Sequence, residues 1–169
     1  MSRQLLFLTK DSQLKMYSPK KQPQSVMFVC LGNIIRSPLC EGLFRKLTRN
    51  QIKVSSSAAT TYNIGESPAL NAQKIAKENH FDISLNISKM ITKKDFMNYE
   101  LIVSLEPQVT KILNKMKPKN FNGEIIELIK GTKVQNPFNM PYECFQTMYR
   151  QIESGVLKLI DTYFKEFQN

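Results

Sequence analysis

Cys30 and Arg36 lie six positions apart in Cys30-Leu31-Gly32-Asn33-Ile34-Ile35-Arg36-Ser37-Pro38, directly after the apolar run Val26-Met27-Phe28-Val29. A thiol at the end of a strand, a short loop, an arginine, then a hydroxyl and a proline that can open a helix form one constellation. It can hold a phosphate dianion around a thiolate. The N–H groups of such a loop converge on an anion, and the helix that follows adds the positive end of its dipole. Arg36 can grip two phosphate oxygens with its planar fork. The same field favours the thiolate form of Cys30 and makes it a nucleophile. Ser37 can donate a hydrogen bond to that sulfur. A Cys-x5-Arg pair alone recurs by chance, and buried strand cysteines are usually inert. The context separates this pair from that background: a strand before it, Gly-Asn within the loop and Ser-Pro at the helix start. Open α/β sheets place ligands at the carboxyl ends of strands, where Cys30 would sit.

These residues must be positioned by a chain of 169 residues, enough for one domain with a sizeable core. No apolar run reaches the length of a membrane span. The three cysteines, Cys30, Cys40 and Cys144, show neither metal-ligand spacing nor an even-numbered framework. No metal and no cofactor is implied, and a reducing, cytoplasmic compartment would keep Cys30 free. The net charge is +10. Most of it is spread, as at Lys93-Lys94 and at Lys111, Lys115, Lys117 and Lys119. Spread lysines usually make a solvated face. They can steer an acidic or phosphorylated partner toward the surface. No nucleic-acid motif accompanies them.

Residues 1–24 read as a basic N-terminal extension. Arg3, Lys10, Lys15, Lys20 and Lys21 face only Asp11, for a net +4, and Leu5-Leu6-Phe7-Leu8 is an apolar patch. We expect a docking arm that binds a protein partner rather than a cleaved signal, although the basic, acid-poor composition also suits a mitochondrial presequence. From Ser25 onward strands and helices alternate. Strands are predicted at Val26–Val29, Ile52–Ser57, Leu101–Leu105 and Glu124–Ile129. Helices are predicted from Ser37 to Arg49, from Pro68 to Asn79, from Pro107 to Met116 and from Tyr142 to Phe167. A short helix opens at Thr92, where Asp95 completes a capping box. The expected fold is a four-stranded parallel sheet with helices on both faces, occupying residues 25–169.

The chain resembles the low-molecular-weight protein tyrosine phosphatases. The segment from Val29 through Pro38 to Glu41, with Phe44-Arg45-Lys46-Leu47, is similar to the family's most specific signature. Ser57-Ala58-Ala59-Thr60, Tyr62-Asn63-Ile64-Gly65 and Ile91-Thr92-Lys93-Lys94-Asp95-Phe96 match further family stretches. The resemblance implies the phosphotyrosine protein phosphatase I-like fold and a two-step reaction. Cys30 would attack a phosphotyrosine protein or small aryl phosphate, and water would hydrolyse the cysteinyl phosphate. Leu31, Gly32, Asn33, Ile34, Ile35 and Arg36 would bind the phosphate, with Asn33 pinning the loop. Ser37 would support the sulfur, and Tyr62 and Phe138 would wall the substrate cleft.

The departures from the family pattern are informative. The family places an aspartate before a proline ahead of the last helix, as the acid that protonates the leaving phenolate. Here that site reads Gln135-Asn136-Pro137-Phe138. Asn136 can hydrogen-bond but cannot deliver a proton, so slow turnover is expected. Ile35 stands where many members carry a second cysteine, Phe138 and Asn139 stand at the paired tyrosines, and Asn86 stands at a loop-supporting histidine. The sequence therefore supports an impaired tyrosine phosphatase. A second reading is a catalytically weak, phospho-binding or structural subunit of a larger assembly. An arsenate reductase ranks last, because the chain lacks a mid-chain cysteine pair.

Overall fold

The computed structural model describes residues 21–168. Its elements run β1 (Ser25–Cys30), α1 (Arg36–Leu47), β2 (Lys53–Ala58), α2 (Leu70–Glu78), α3 (Lys93–Asn98), β3 (Leu101–Ser104), α4 (Pro107–Met116), β4 (Glu124–Glu127) and α5 (Tyr142–Tyr163). A short 3₁₀ turn, Lys165–Phe167, follows α5. The four strands are parallel in the order β2-β1-β3-β4. The expected α/β sheet is therefore present, and β1 and β3 flank the point where the strand order reverses. Loops leaving those two strands diverge and open a crevice.

β1 is buried along its whole length because both faces of the sheet are covered. Its side chains alternate between the faces. Val26, Phe28 and Cys30 join a core built with α1, α2 and α5, whereas Met27 and Val29 join one built with α3 and α4. Phe28, Phe44 and Phe164 form an edge-to-face aromatic stack, with centroids 5.7 and 5.2 Å apart. This packing fixes the end of β1, and so the place of Cys30. Thr92 and Asp95 form the expected capping box at α3.

Several boundaries differ from the sequence-based expectation by one to four residues, three of them for reasons visible in the structure. α2 begins at Leu70 rather than Pro68, because Ala69 is extended (φ −53, ψ 141) and its N–H is tied 2.8 Å from the Ile34 carbonyl. β4 ends at Glu127 rather than Ile129: Leu128 still donates to Ser104 at 2.9 Å, and the chain then turns toward Gly131 at φ 75. α5 stops at Tyr163 because Phe164 leaves helical geometry (φ −131, ψ 57) to place its ring in the core. Apolar periodicity continues through that break and hid it. The proposed docking arm lies almost entirely outside the described residues. Among the described residues, no helix is long and apolar enough to cross a membrane.

Candidate functional site

The loop between β1 and α1 is held from outside by its carbonyls. Ala59 N–H donates to Cys30 O at 2.8 Å, Thr60 N–H and Oγ1 to Leu31 O at 3.1 and 2.8 Å, and Ala69 N–H to Ile34 O at 2.8 Å. Ser88 Oγ donates to Gly32 O at 2.9 Å. All described peptide bonds are trans, so each N–H points opposite the carbonyl before it. The outward carbonyls turn the N–H groups of Leu31, Gly32, Asn33 and Ile35 toward the loop's interior. Asn33 adopts φ 55, a left-handed geometry that asparagine tolerates better than most residues. Gly32 has a different reason to be glycine: a Cβ there would overlap Asn63 Oδ1.

The sulfur of Cys30 sits within this loop. Asn33 N–H donates to Sγ at 3.2 Å, and Ser37 Oγ lies 3.0 Å away. The surrounding bonds tie the Ser37 hydroxyl into one network. Asn33 Oδ1 accepts from Lys89 N–H at 3.2 Å, which orients the amide. Its Nδ2 then donates to Ser37 Oγ and to Ser56 Oγ, both at 2.9 Å. Ser56 Oγ in turn donates to Glu41 Oε2 at 2.6 Å. Ser37 Oγ, which accepts from Asn33, keeps its own proton free to donate to the sulfur, the arrangement a thiolate requires. Arg45 at 2.6 Å and Asn86 at 3.0 Å complete the Glu41 carboxylate.

Arg36, 2% exposed, opens α1 and is anchored from behind. Nη2 pairs with Glu106 Oε1 at 2.8 Å, and Nη1 donates to the Val134 carbonyl at 3.1 Å. Glu106 caps α4 just after β3, and Val134 lies between β4 and α5. The remaining N–H groups of the fork are available to an anion in front.

A pocket of about 340 Å³ opens over the loop, lined by Cys30, Leu31, Gly32, Asn33, Ile34, Ile35, Arg36, Tyr62, Asn63, Asn136 and Phe138. Tyr62 and Phe138 stand at its rim, 78% and 53% exposed. Asn136 is exposed and accepts a long 3.4 Å bond from Phe138 N–H. Every residue expected to act on, bind or wall in the phosphate lines the pocket except Ser37, which reaches it through the sulfur; Asn86 and Asn139 lie outside the lining. Sequence reasoning missed the support from Glu106, Ser56, Glu41 and Val134. Glu41 lay within the signature stretch and Glu106 follows the apolar run Leu101–Leu105, but nothing in either position showed what its carboxylate would hold.

Geometrically the pocket can seat a tetrahedral oxyanion, with N–H donors around it, an arginine beside it and sulfur beneath it. Cys40 is fully buried on α1, and burial pushes its thiol well up, with the nearby Cys30 adding to the rise. Neither Cys40 nor Cys144 lines the pocket. Among the described residues no group of His, Cys, Asp and Glu could hold a metal.

The low molecular weight phosphotyrosine protein phosphatase family matches residues 25–169. The chain belongs to that family. A human low molecular weight phosphotyrosine protein phosphatase is 33% identical over 141 residues, covering 76% of this chain and 88% of the relative. A protein-tyrosine-phosphatase, PtpA, of Staphylococcus saprophyticus is 30% identical over 151 residues, covering 84% and 95%. Among solved structures, a protein tyrosine phosphatase from Entamoeba histolytica superposes with a TM-score of 0.77 at 23% identity, covering 85% of this chain and 98% of that one. Wzb of Vibrio vulnificus, crystallised with benzylphosphonate, gives 0.76 at 24% identity, covering 82% and 98%. These superpositions establish the low molecular weight phosphatase fold for this sheet and its helices.

Proposed function

We propose that the protein is a tyrosine phosphatase working through a cysteinyl phosphate on Cys30, with turnover held down by Asn136. The observation that carries this reading is the seat of the sulfur. A sulfur that receives an N–H, lies 3.0 Å from a hydroxyl able to donate, and shares its pocket with an anchored guanidinium is placed to act as a nucleophile on a phosphoryl group. In the first step Sγ attacks phosphorus from the loop side. Inward N–H groups and Arg36 stabilise the charge that builds on the phosphoryl oxygens. Tyr62 and Phe138, at the rim of the pocket, hold the aryl ring. Asn136 occupies the position of the family's proton donor and supplies a hydrogen bond in its place.

A second reading, a phospho-binding or structural subunit, is favoured by one observation: none of the lining residues is an Asp, Glu or His. The arm 1–24 would then serve assembly. The deciding experiment pairs binding with turnover. Vanadate or phosphate should bind at residues 30–37, seen by NMR or calorimetry, and Arg36→Ala should abolish it. Release of phosphate from a phosphotyrosine peptide, slow in the native chain and absent in Cys30→Ser, supports the enzyme. Binding with no release at all supports the second reading, and no binding overturns both.

A further inference from the structure

The nucleophile side of the pocket is complete and the proton side is empty. Asn136 stands at the rim, and the lining contains no titratable acid or base other than Cys30, Arg36 and Tyr62. Two carboxylates come near through lining residues. Glu106 is buried and committed to Arg36 at 2.8 Å, and Glu66 accepts from Asn63 Nδ2 at 3.1 Å from a position outside the lining. Neither lines the pocket.

Resting on the cysteinyl-phosphate reading, this asymmetry selects among leaving groups. As the S–P bond forms and the P–O bond breaks, the electron pair stays on the departing oxygen. A phenolate, whose conjugate acid has a pKa of about 10, needs a proton at that moment; a carboxylate, at about 4, does not. Phosphate esters of tyrosine therefore suffer from Asn136, and mixed anhydrides of phosphate with a carboxylic acid do not. The apolar lining at Leu31, Ile34, Tyr62 and Phe138 suits a flat apolar acyl group. The second step carries the opposite defect. Water must attack phosphorus and surrender a proton while the S–P electron pair returns to sulfur. Ser37 and Asn33 receive that sulfur, but no lining residue receives the proton.

We propose that the site takes its phosphoryl group from acyl phosphates and retains it on Cys30 as a long-lived cysteinyl phosphate.

The test mixes the full chain separately with benzoyl phosphate, 4-nitrophenyl phosphate and phosphotyrosine. It follows leaving-group release and intact protein mass together. Benzoyl phosphate should give a burst of about one equivalent of benzoate and a protein heavier by one phosphoryl group. The burst should outpace the reaction with phosphotyrosine by on the order of 10²–10⁴-fold, the usual worth of a general acid. Cys30→Ser, which also controls for spontaneous hydrolysis, should show neither burst nor adduct. Asn136→Asp should shorten the adduct's lifetime by restoring a proton acceptor. Benzoyl phosphate reacting no faster than phosphotyrosine, or turning over without adduct, overturns the proposal. If 4-nitrophenyl phosphate phosphorylates Cys30 and benzoyl phosphate does not, this inference falls and the phosphatase reading stands. If neither does, both fall.

Discussion

At the scale of residues, the proposal of slow turnover turns on a carboxamide, rather than a carboxylate, at position 136. Asn136 matches aspartate in shape, so Asn136→Asp needs no repacking at an exposed position. It should raise phosphotyrosine turnover by on the order of 10²-fold. A steady-state assay reads this directly, and an unchanged rate would show that the loop never brings position 136 to the leaving oxygen. Glu106 makes a different kind of contribution. Its carboxylate faces Arg36 where both are nearly dry, and removing one partner of such a pair typically costs about 3–5 kcal/mol because the other charge is stranded. Glu106→Ala should therefore lower the urea midpoint sharply in phosphate-free buffer. Saturating phosphate, by offering Arg36 a new partner, should restore part of the loss. Cys30 through Ser37 were legible in sequence because they are contiguous and their types have few other joint uses. Glu106, Ser56 and Val134 were not, since each acts through a neighbour that only folding supplies.

At the scale of elements, α5 carries two phenols whose protons are held unusually tightly. Burial pushes the Tyr149 phenol to about 12, with Glu153 and Cys40 adding to the rise. Desolvation and the Glu78 carboxylate, 2.5 Å away, raise Tyr142 to about 12 as well. A phenol whose pKa is higher folded than unfolded holds its proton more tightly in the native state. Its stabilising contribution is complete below the unfolded value near 10 and is lost as pH rises from there toward 12. Denaturant midpoints should fall across that window, and Tyr149→Phe should flatten the fall. The order and type of the elements were readable from apolar runs and periodicity. Their ends were not: α2 is delayed by a bond from Ala69 to the loop between β1 and α1, and α5 is cut short by a ring that the core claims. Neither cause is local in sequence.

At the scale of the whole molecule, the family match begins at residue 25 and leaves the basic, apolar-tipped segment before it unaccounted for. If that segment is a docking arm, deleting residues 1–24 should leave 4-nitrophenyl phosphate turnover unchanged while abolishing co-purification of a partner. Loss of turnover on deletion, or no change in either property, would remove the arm from the functional account. Composition shows that the segment differs from the domain; it carries no signal for what the segment touches.

The pairing of Arg36 with Glu106 also governs how a substrate finds the pocket. Two opposite unit charges 2.8 Å apart largely cancel at a distance. The pull that remains at the mouth comes from N–H groups and a helix end, whose influence fades within about a turn. Capture from afar must then rely on the diffuse field of a chain with net charge +10. Encounter and commitment thus have separate electrostatic origins. Added salt screens the diffuse field over a Debye length of about 8–10 Å but scarcely reaches the contacts within the pocket. The second-order rate constant for an anionic substrate should therefore fall as ionic strength rises, while the rate at saturation stays level.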